Sequence, residues 1–456
     1  MPGFRSPSPG AATRYSLLGA TVLGTMANNI ISVPLNTIAE DLDRPVASTV
    51  LAVSAFIIVL AVAIPVAGWV GDRLGRRRVL LAALLLMVVG QALASLAPGL
   101  ELLIAARAVQ GLACSAIPPM VMGMLVTFFP GQRLRVMGAW AAANGAGQAL
   151  GPPIGGLIAD AAGWRSIFVL MCVLSLVAFV AVARSVPSAP GHRERFDLPG
   201  ALLLSSGMTL LLVAVTSVSL PGARLALIGG LAAIGLVLLL LFVAVSARNP
   251  HAMLPPHLLF ETRFLRSSLA AFVQMFMLGT ALVAVPLHLT GPLHMSSWHA
   301  GLLFFQLPVV MVLLAPWVGR AAARWSPRLI LRIGLLTLVV GGALAGVVGE
   351  EADGTWATWL ISAVLLVLGA GMALVQTPAA AGATRSPAGG RGAALGAFSM
   401  LRFSGSAAGT AWVAIGYHHG LLALFLFAAA VVTIGLAVTF VGPDPHDDPA
   451  SAEPAY

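Results

Sequence analysis

The chain has 456 residues, of which 59% are hydrophobic and only 9% charged. Soluble domains carry about 25% charged residues, so at a mean hydropathy of +0.96 no soluble class fits, and the chain reads as an all-α polytopic membrane protein. The net charge of +9 rests on arginine alone, with no lysine in the sequence, and needs no nucleic acid to account for it.

Residues 1–14 form a short, polar, basic stretch, expected as a cytoplasmic tail. The apolar run behind them lacks a small-residue cleavage site, which predicts a retained first span rather than a signal peptide. Six spans are predicted at 15–37, 48–70, 79–98, 102–128, 136–159 and 165–185, forming an N-terminal six-helix bundle over 15–185. A polar cytoplasmic linker follows at 186–197, then two inserted transmembrane helices within 198–246, at 198–219 and 225–246. A second cytoplasmic linker, 247–266, holds Pro250, Pro255 and Pro256. Six further spans, at 267–290, 299–319, 329–349, 356–378, 392–416 and 420–441, form a C-terminal bundle over 267–441. The Pro- and Asp-rich 442–456 is expected as a disordered cytoplasmic tail.

Arginine placement tests this count of fourteen. With the N-terminus inside, the cluster from Arg73 to Arg78 and most other arginines fall on inside loops. Outside loops receive only Arg44, Arg165 and Arg224, together with the acids Glu40, Asp41, Asp43, Glu350, Glu351 and Asp353. That asymmetry is the positive-inside bias, and it puts both termini in the cytoplasm.

The halves repeat. Gly68, Arg73 and Arg77 match Gly319, Arg324 and Arg328 at an offset of 251 residues. Gly138, Asn144, Gly147 and Gly151 match Gly396, Arg402, Gly405 and Gly409 at an offset of 258. Two copies of a six-helix unit therefore flank the two inserted helices, and parallel repeats of this kind place a substrate site near the membrane midplane.

The loop after span 2 holds Gly68, Gly71, Asp72, Arg73, Gly75, Arg76 and Arg77, followed by Arg78: a tight turn with one carboxylate among four arginines. Asp72 can cap a helix start and pair with an inside arginine; the alternative is a plain topogenic loop. Span 4 sets Arg107, Gln110, Gly111, Cys114 and Ser115 on one helix face. A charge inside a span defaults to a functional role, against the alternative of an arginine snorkelling to the outer face. Span 5 contains the stretch 138–159, GAWAAANGAGQALGPPIGGLIA. Gly147, Gly151 and Gly155 recur every fourth residue and leave one face without side chains, so a neighbouring helix can approach backbone to backbone. Pro152 and Pro153 are expected to bend this helix near Gln148 and Ala149.

The Gly-x-x-x-Asp-Arg-x-Gly-Arg-Arg spacing from Gly68 resembles the signature loop of the major facilitator superfamily. The Arg107-x-x-Gln110-Gly111 stretch resembles that family's span-4 motif, whose arginine is linked to proton handling. The run from Gly147 to Gly156, with Gly151-Pro152 and Gly155-Gly156, is similar to the span-5 antiporter motif, which in the family marks exporters. VPLNTIAEDL in span 1 and GWRSIFVL opening span 6 also resemble the fourteen-span drug/proton antiporter branch. The resemblance runs from about residue 15 to 441. It implies a major-facilitator fold of two six-helix bundles plus two inserted helices. It also implies alternating access and export of small organic molecules in exchange for protons across the inner (cytoplasmic) membrane. The rivals are a proton-independent facilitator or importer of the same fold and, more distantly, a non-transporting receptor or scaffold.

One departure bears on the substrate. Members of that branch carry an Asp in span 1 where this chain has Ala27, and no acid lies in the middle of any predicted span. The cavity is instead expected to show Asn28, Ser32 and Asn36, joined by Gln110, Asn144, Gln148, Gln274, Gln306, Gln376 and Arg402. A neutral-to-positive pocket suits a neutral or anionic, drug- or antibiotic-like substrate better than a lipophilic cation. His288, near the outer end of span 9, titrates in a useful range and stands beside Arg107 as a proton-handling candidate; otherwise it is an interfacial polar residue. Cys114 and Cys172 offer no disulfide framework or metal-ligand spacing. No nucleotide-phosphate motif, nucleophile–base pair or metal constellation is present, so no cofactor, metal or enzyme activity is expected. The expected partners are a small-molecule substrate, protons and the lipid bilayer, with the chain acting as a monomer.

Overall fold

The computed structural model describes residues 10–31, 34–44, 46–188, 197–217, 224–249, 252, 254–290, 292–293, 295, 297–351, 354–387 and 391–442. The expectations for 1–9, Ser32, most of the 186–197 linker and 443–456 lie outside the described residues.

The fold is helical. Its elements are α1 (Ala11–Asn29), α2 (Leu35–Asp41), α3 (Val46–Leu74), α4 (Arg76–Ser95), α5 (Leu100–Ser115), α6 (Ile117–Phe128), α7 (Arg133–Ala162) and α8 (Arg165–Ser185). The inserted pair is α9 (Leu198–Ser217) and α10 (Leu225–Arg248). Then come the short α11 (Pro256–Leu259), α12 (Thr262–Thr290), α13 (Ser297–Arg324), α14 (Pro327–Glu351), α15 (Gly354–Arg385), α16 (Gly392–Gly416) and α17 (Leu421–Val438). Among the described residues, 11 helices are long and apolar enough to cross a membrane, with α5 and α6 running together as Leu100–Phe128. The three other predicted spans fall on α1, α7 and α16, whose 19, 30 and 25 residues are long enough but are diluted by glycine and polar side chains. Glycines at positive φ make the tight turns: Gly75 (94°) separates α3 from α4, and Gly163 (79°) precedes α8.

One sequence expectation is corrected. The span predicted over 15–37 is not one helix: α1 stops at Asn29 and α2 starts at Leu35. Pro34 has no N–H to give the Ile30 carbonyl. In α7 the helix runs on through both Pro152 and Pro153.

The described residues cluster into two compact units. The first draws on 1–130, 143–197 and 390–397; the second on 131–142, 198–389 and 398–456. The inserted α9–α10 pair therefore falls in the second unit, and the starts of α7 and α16 are exchanged. In the first unit α3 packs on α5, α4 on α5 and α8, and α1 on α6 and α8. In the second, α15 packs on α12, α13 and α14, and α17 on α12 and α14. The most hydropathic window of α12 is 78% buried and that of α10 only 11%, so α12 is a core helix and α10 a peripheral one with a lipid-facing surface.

Candidate functional site

The glycine face of α7 is occupied by α1. A Cβ on Gly147 would strike Thr25 and the Val22 carbonyl, one on Gly151 would press on Met26 and Ile30, and one on Gly155 would drive into the Ile30 carbonyl. The second unit repeats the first two contacts, since Gly405 sits on the Phe272 carbonyl and Gly409 on that of Phe276. The glycines are related by the 258-residue offset, and Val22 and Met26 are related to Phe272 and Phe276 by 250. The third contact has no copy, because Val413 stands where Gly155 does and α12 runs on unbroken. Gly156 and Pro152 are half-buried beside this face, and Pro153 is exposed.

The break in α1 explains Arg107. A helix end leaves its last carbonyls without partners, and with α1 stopped at Asn29 the Arg107 guanidinium supplies them. Its Nη1 donates to the Ala27 carbonyl at 2.9 Å and its Nη2 to that of Asn28 at 3.4 Å. Its Nε donates to the Ala52 carbonyl at 3.4 Å and Nη1 also to Gln110 Oε1 at 2.8 Å, with the Phe56 ring centroid 4.2 Å away. The side chain is 0% exposed, so it does not snorkel. Gln110 is fully committed, since its Nε2 donates to the Gly90 carbonyl at 2.9 Å. Asn28 donates to Asn29 Oδ1 at 3.2 Å and its buried Oδ1 has no partner. Asn36 lies in α2.

At one end of the first unit the two branch-like stretches meet. Asp41 of α2 accepts from Trp164 Nε1 at 3.0 Å and from Arg165 Nη1 at 2.6 Å, while Arg165 Nη2 reaches the Ala97 carbonyl at 3.1 Å. Hydrogen bonding to Arg165, then to Trp164, holds the Asp41 carboxyl below its ordinary 3.8. A depressed carboxylate stabilises the fold above its unfolded value and loses that contribution only as pH falls through the folded one, here below about pH 4. Asp41→Asn is therefore expected to cost only about 0.5 kcal/mol, as for a largely solvated pair, and to leave the pH profile of transport between pH 5 and 8 unchanged. Titrating transport of the variant across that range checks this, and an altered profile would make Asp41 a proton group.

Elsewhere in the same unit, Asp72 joins two helices. Its Oδ1 accepts from Arg76 Nη2 at 3.1 Å and Nε at 3.3 Å, and its Oδ2 accepts from the Gly392 backbone N–H, the first residue of α16. Gly68 packs on the Gly392 carbonyl and Gly396 on that of Ile64, and neither position has room for a Cβ. Gly71 leaves space for Met120, Arg76 lies on Gly123, and Arg73 lies over the Trp69 ring. Arg77 donates to the Ala183 carbonyl at 2.6 Å, tying down the end of α8. The second unit has the matching backbone contacts, Gly319 on the Leu134 carbonyl and Gly138 on that of Ala315. It also has the matching arginine, Arg328, on the Thr439 carbonyl at 2.7 Å. It has no matching carboxylate, because the position 251 residues beyond Asp72 is Ala323.

The remaining polar candidates separate. Gln148 donates to Asn144 at 3.1 Å. In the second unit Gln306 accepts from Ser362 at 2.6 Å and Gln274 donates to the Met372 carbonyl at 3.3 Å. Gln376 is buried with both amide atoms unpaired, and Arg402, 1% exposed, leaves Nε and Nη1 without a partner. The Arg402 guanidinium stands 5.2 Å from the Trp140 ring centroid and 4.9 Å from that of Phe403. His288, in the last turn of α12, lines a small apolar pocket with Ala284, Val285, Leu365, Leu368 and Phe425. Arg107, Gln110, Asn144, Gln274, Gln376 and Arg402 are all buried, and the one buried acid among the described residues is Asp197, just ahead of α9. Among the described residues no group of three or more His, Cys, Asp or Glu could hold a metal. Sequence reasoning passed over Trp140 as a partner of Arg402 and the α1 break; the one available signal for the break was Pro34.

The sequence profile of the Major Facilitator Superfamily matches residues 17–248 and 267–455. An uncharacterized MFS-type transporter of Mycobacterium tuberculosis is 28% identical over 418 residues, 90% of this chain and 70% of the relative. A multidrug resistance protein B homolog from the same species is 29% identical over 374 residues, 80% of this chain and 68% of the relative. The crystal structure of the human organic anion transporter MFSD10 (TETRAN) is 15% identical, with a TM-score of 0.71 over 95% of this chain and 100% of that one. That last likeness is one of fold.

Proposed function

This chain belongs to the Major Facilitator Superfamily, and from that premise we propose that it is a fourteen-span exporter of small, neutral or anionic organic molecules, exchanging them for protons by alternating access. It sits in the cytoplasmic membrane with both termini inside, and alternating access comes from movement of its two six-helix bundles. The observation that carries the export reading is the seating of Gly147, Gly151 and Gly155 on the α1 backbone beside its break, a close-packed contact in the antiporter-like stretch. Relatives named multidrug resistance proteins support it. The Ala27 that stands where the branch carries an acid, together with the buried Gln110, Asn144, Gln274, Gln376 and Arg402 within predicted spans, supports a substrate that is not a cation. Arg107 stays protonated throughout the physiological range, so its part is to hold the end of α1, and His288 is left as the group that can exchange a proton.

Efflux from everted vesicles tests this. Neutral and anionic probes are expected to accumulate when a pH gradient is imposed, and ethidium is not. Ethidium accumulation would overturn the charge argument. Accumulation indifferent to the gradient would favour the second reading, a proton-independent facilitator, which the missing span-1 acid also supports. His288→Gln is expected to flatten the pH dependence of efflux; an unchanged profile removes His288 from the proton path.

A further inference from the structure

The geometry points to an oxyanion subsite inside the second unit, at Arg402, which takes the carboxylate of an aromatic acid; this deepens the export reading and rests on it. Arg402 begins ten residues into α16, about 15 Å along a helix from its start, so its depth is near the membrane centre. A guanidinium cannot discharge itself there by losing a proton. It takes no part in the ion pairs Arg44–Glu101, Arg76–Asp72 and Arg165–Asp41. Arg107, its counterpart in burial, is covered by three backbone carbonyls and a glutamine. Arg402 has no such cover, and its Nε and Nη1 point their hydrogens at nothing in the protein.

The surrounding groups are unpaired in the same way. Trp140 Nε1, Ser399 Oγ, Thr377 Oγ1 and both amide atoms of Gln376 are buried without partners. Ser399 is three residues before Arg402 on α16, on the same face. Helix register brings Gln376 to the same level. Gly405 meets Phe272 and Gln274 meets Met372. Stepping one turn back on α16 and one turn on along α15, which runs the other way, brings Arg402 and Gln376 both to the depth of Leu269 and Ala270 on α12. Thr377 lies beside Gly138, two residues from Trp140. A cation with two free donors, an indole N–H, two hydroxyls and a free amide at one depth form a receptor for oxygen-bearing anions. The Trp140 and Phe403 rings beside the guanidinium favour an aromatic scaffold.

The test uses the full chain in lipid nanodiscs, with 1-naphthoate and its neutral isostere 1-naphthamide as probes and thermal unfolding as the readout. Naphthoate is expected to raise the wild-type midpoint saturably and naphthamide not to. Arg402→Gln is expected to weaken the apparent naphthoate affinity at least tenfold. Ser399→Asp, which supplies an internal counter-ion one turn away, is expected to abolish the naphthoate response and to raise the ligand-free midpoint, which keeps the test decisive should Arg402→Gln not fold. Equal responses to the two probes, or undiminished naphthoate binding in Ser399→Asp, would overturn the subsite. Loss of this discrimination with gradient-driven export intact removes the subsite alone, whereas failure of any compound to be exported removes the transport reading.

Discussion

Valine at position 155 is expected to abolish export and to lower the thermal midpoint, at a cost of about 2–3 kcal/mol or more. Overpacking of a well-filled interior costs about 1–3 kcal/mol even where side chains can yield, and here the obstacle is backbone: a Cβ on Gly155 runs into the Ile30 carbonyl. That carbonyl cannot retreat easily, because Ala27 and Asn28 just before it are held by Arg107. It has also lost its normal helical donor to Pro34, so the close approach of the Gly155 backbone is part of what shields it. Two substitutions in open positions act as controls. Gly19 on α1 and Gly229 on α10 have nothing within 4 Å of a built Cβ, so Gly19→Ala and Gly229→Ala are expected to be neutral or to stabilise by about 0.5–1 kcal/mol through helix propensity. Thermal unfolding in detergent and vesicle efflux, measured together, separate these cases. A Gly155→Val protein that unfolds and exports like the wild type would mean that α7 does not depend on its contact with the α1 break.

The contrast between Gly155 and Arg107 shows what the sequence could and could not disclose. A glycine every fourth residue is written in the chain, so the close-packed face of α7 was legible, and so was its copy at Gly405 and Gly409. The hydropathy pattern likewise placed the long helices to within a few residues, as 392–416 against α16 illustrates. Arg107 was legible as a buried charge, but its partners were not, because backbone carbonyls carry no residue signature and become available only when a particular helix stops. Pro34 held that information, and it was outweighed by the apolar run on either side of it. The prolines of α7 lie inside a continuous helix, since a packed neighbour supports a helix that isolated propensity would break. The exchange of 131–142 and 390–397 between the compact units was beyond reach for another reason: hydropathy reports the environment of a span, not which helices it touches.

Removing the charge of Asp72 should slow export at least tenfold while leaving the protein folded. In the structure this carboxylate caps α16 at the Gly392 N–H and pairs with Arg76, where it also meets the positive end of a 25-residue helix. Charge-assisted bonds of this kind contribute about 1.5–3 kcal/mol. Asp72→Asn keeps an acceptor for Gly392 but loses the Arg76 attraction and the favourable dipole term, so the docked arrangement of α3 and α16 is expected to lose about 1.5 kcal/mol. A change of that size moves a two-state equilibrium about tenfold. The repeat makes the position singular: the glycine contacts occur in both units, yet the second has Ala323 where the first has the acid, so no symmetric partner can take over. Asp72→Glu should not rescue, because Gly68 and Gly392 pack backbone to backbone and leave no space for an added methylene. Hydrogen exchange supplies the direct readout, since the Gly392 amide is the group the carboxylate protects. Its exchange is expected to quicken about tenfold in Asp72→Asn, with amides in the middle of α12 unaffected and the thermal midpoint shifted by only a few degrees. Faster exchange at Gly392 with export at the wild-type rate would mean that this junction opens freely without governing transport, and its part in the cycle would have to be given up.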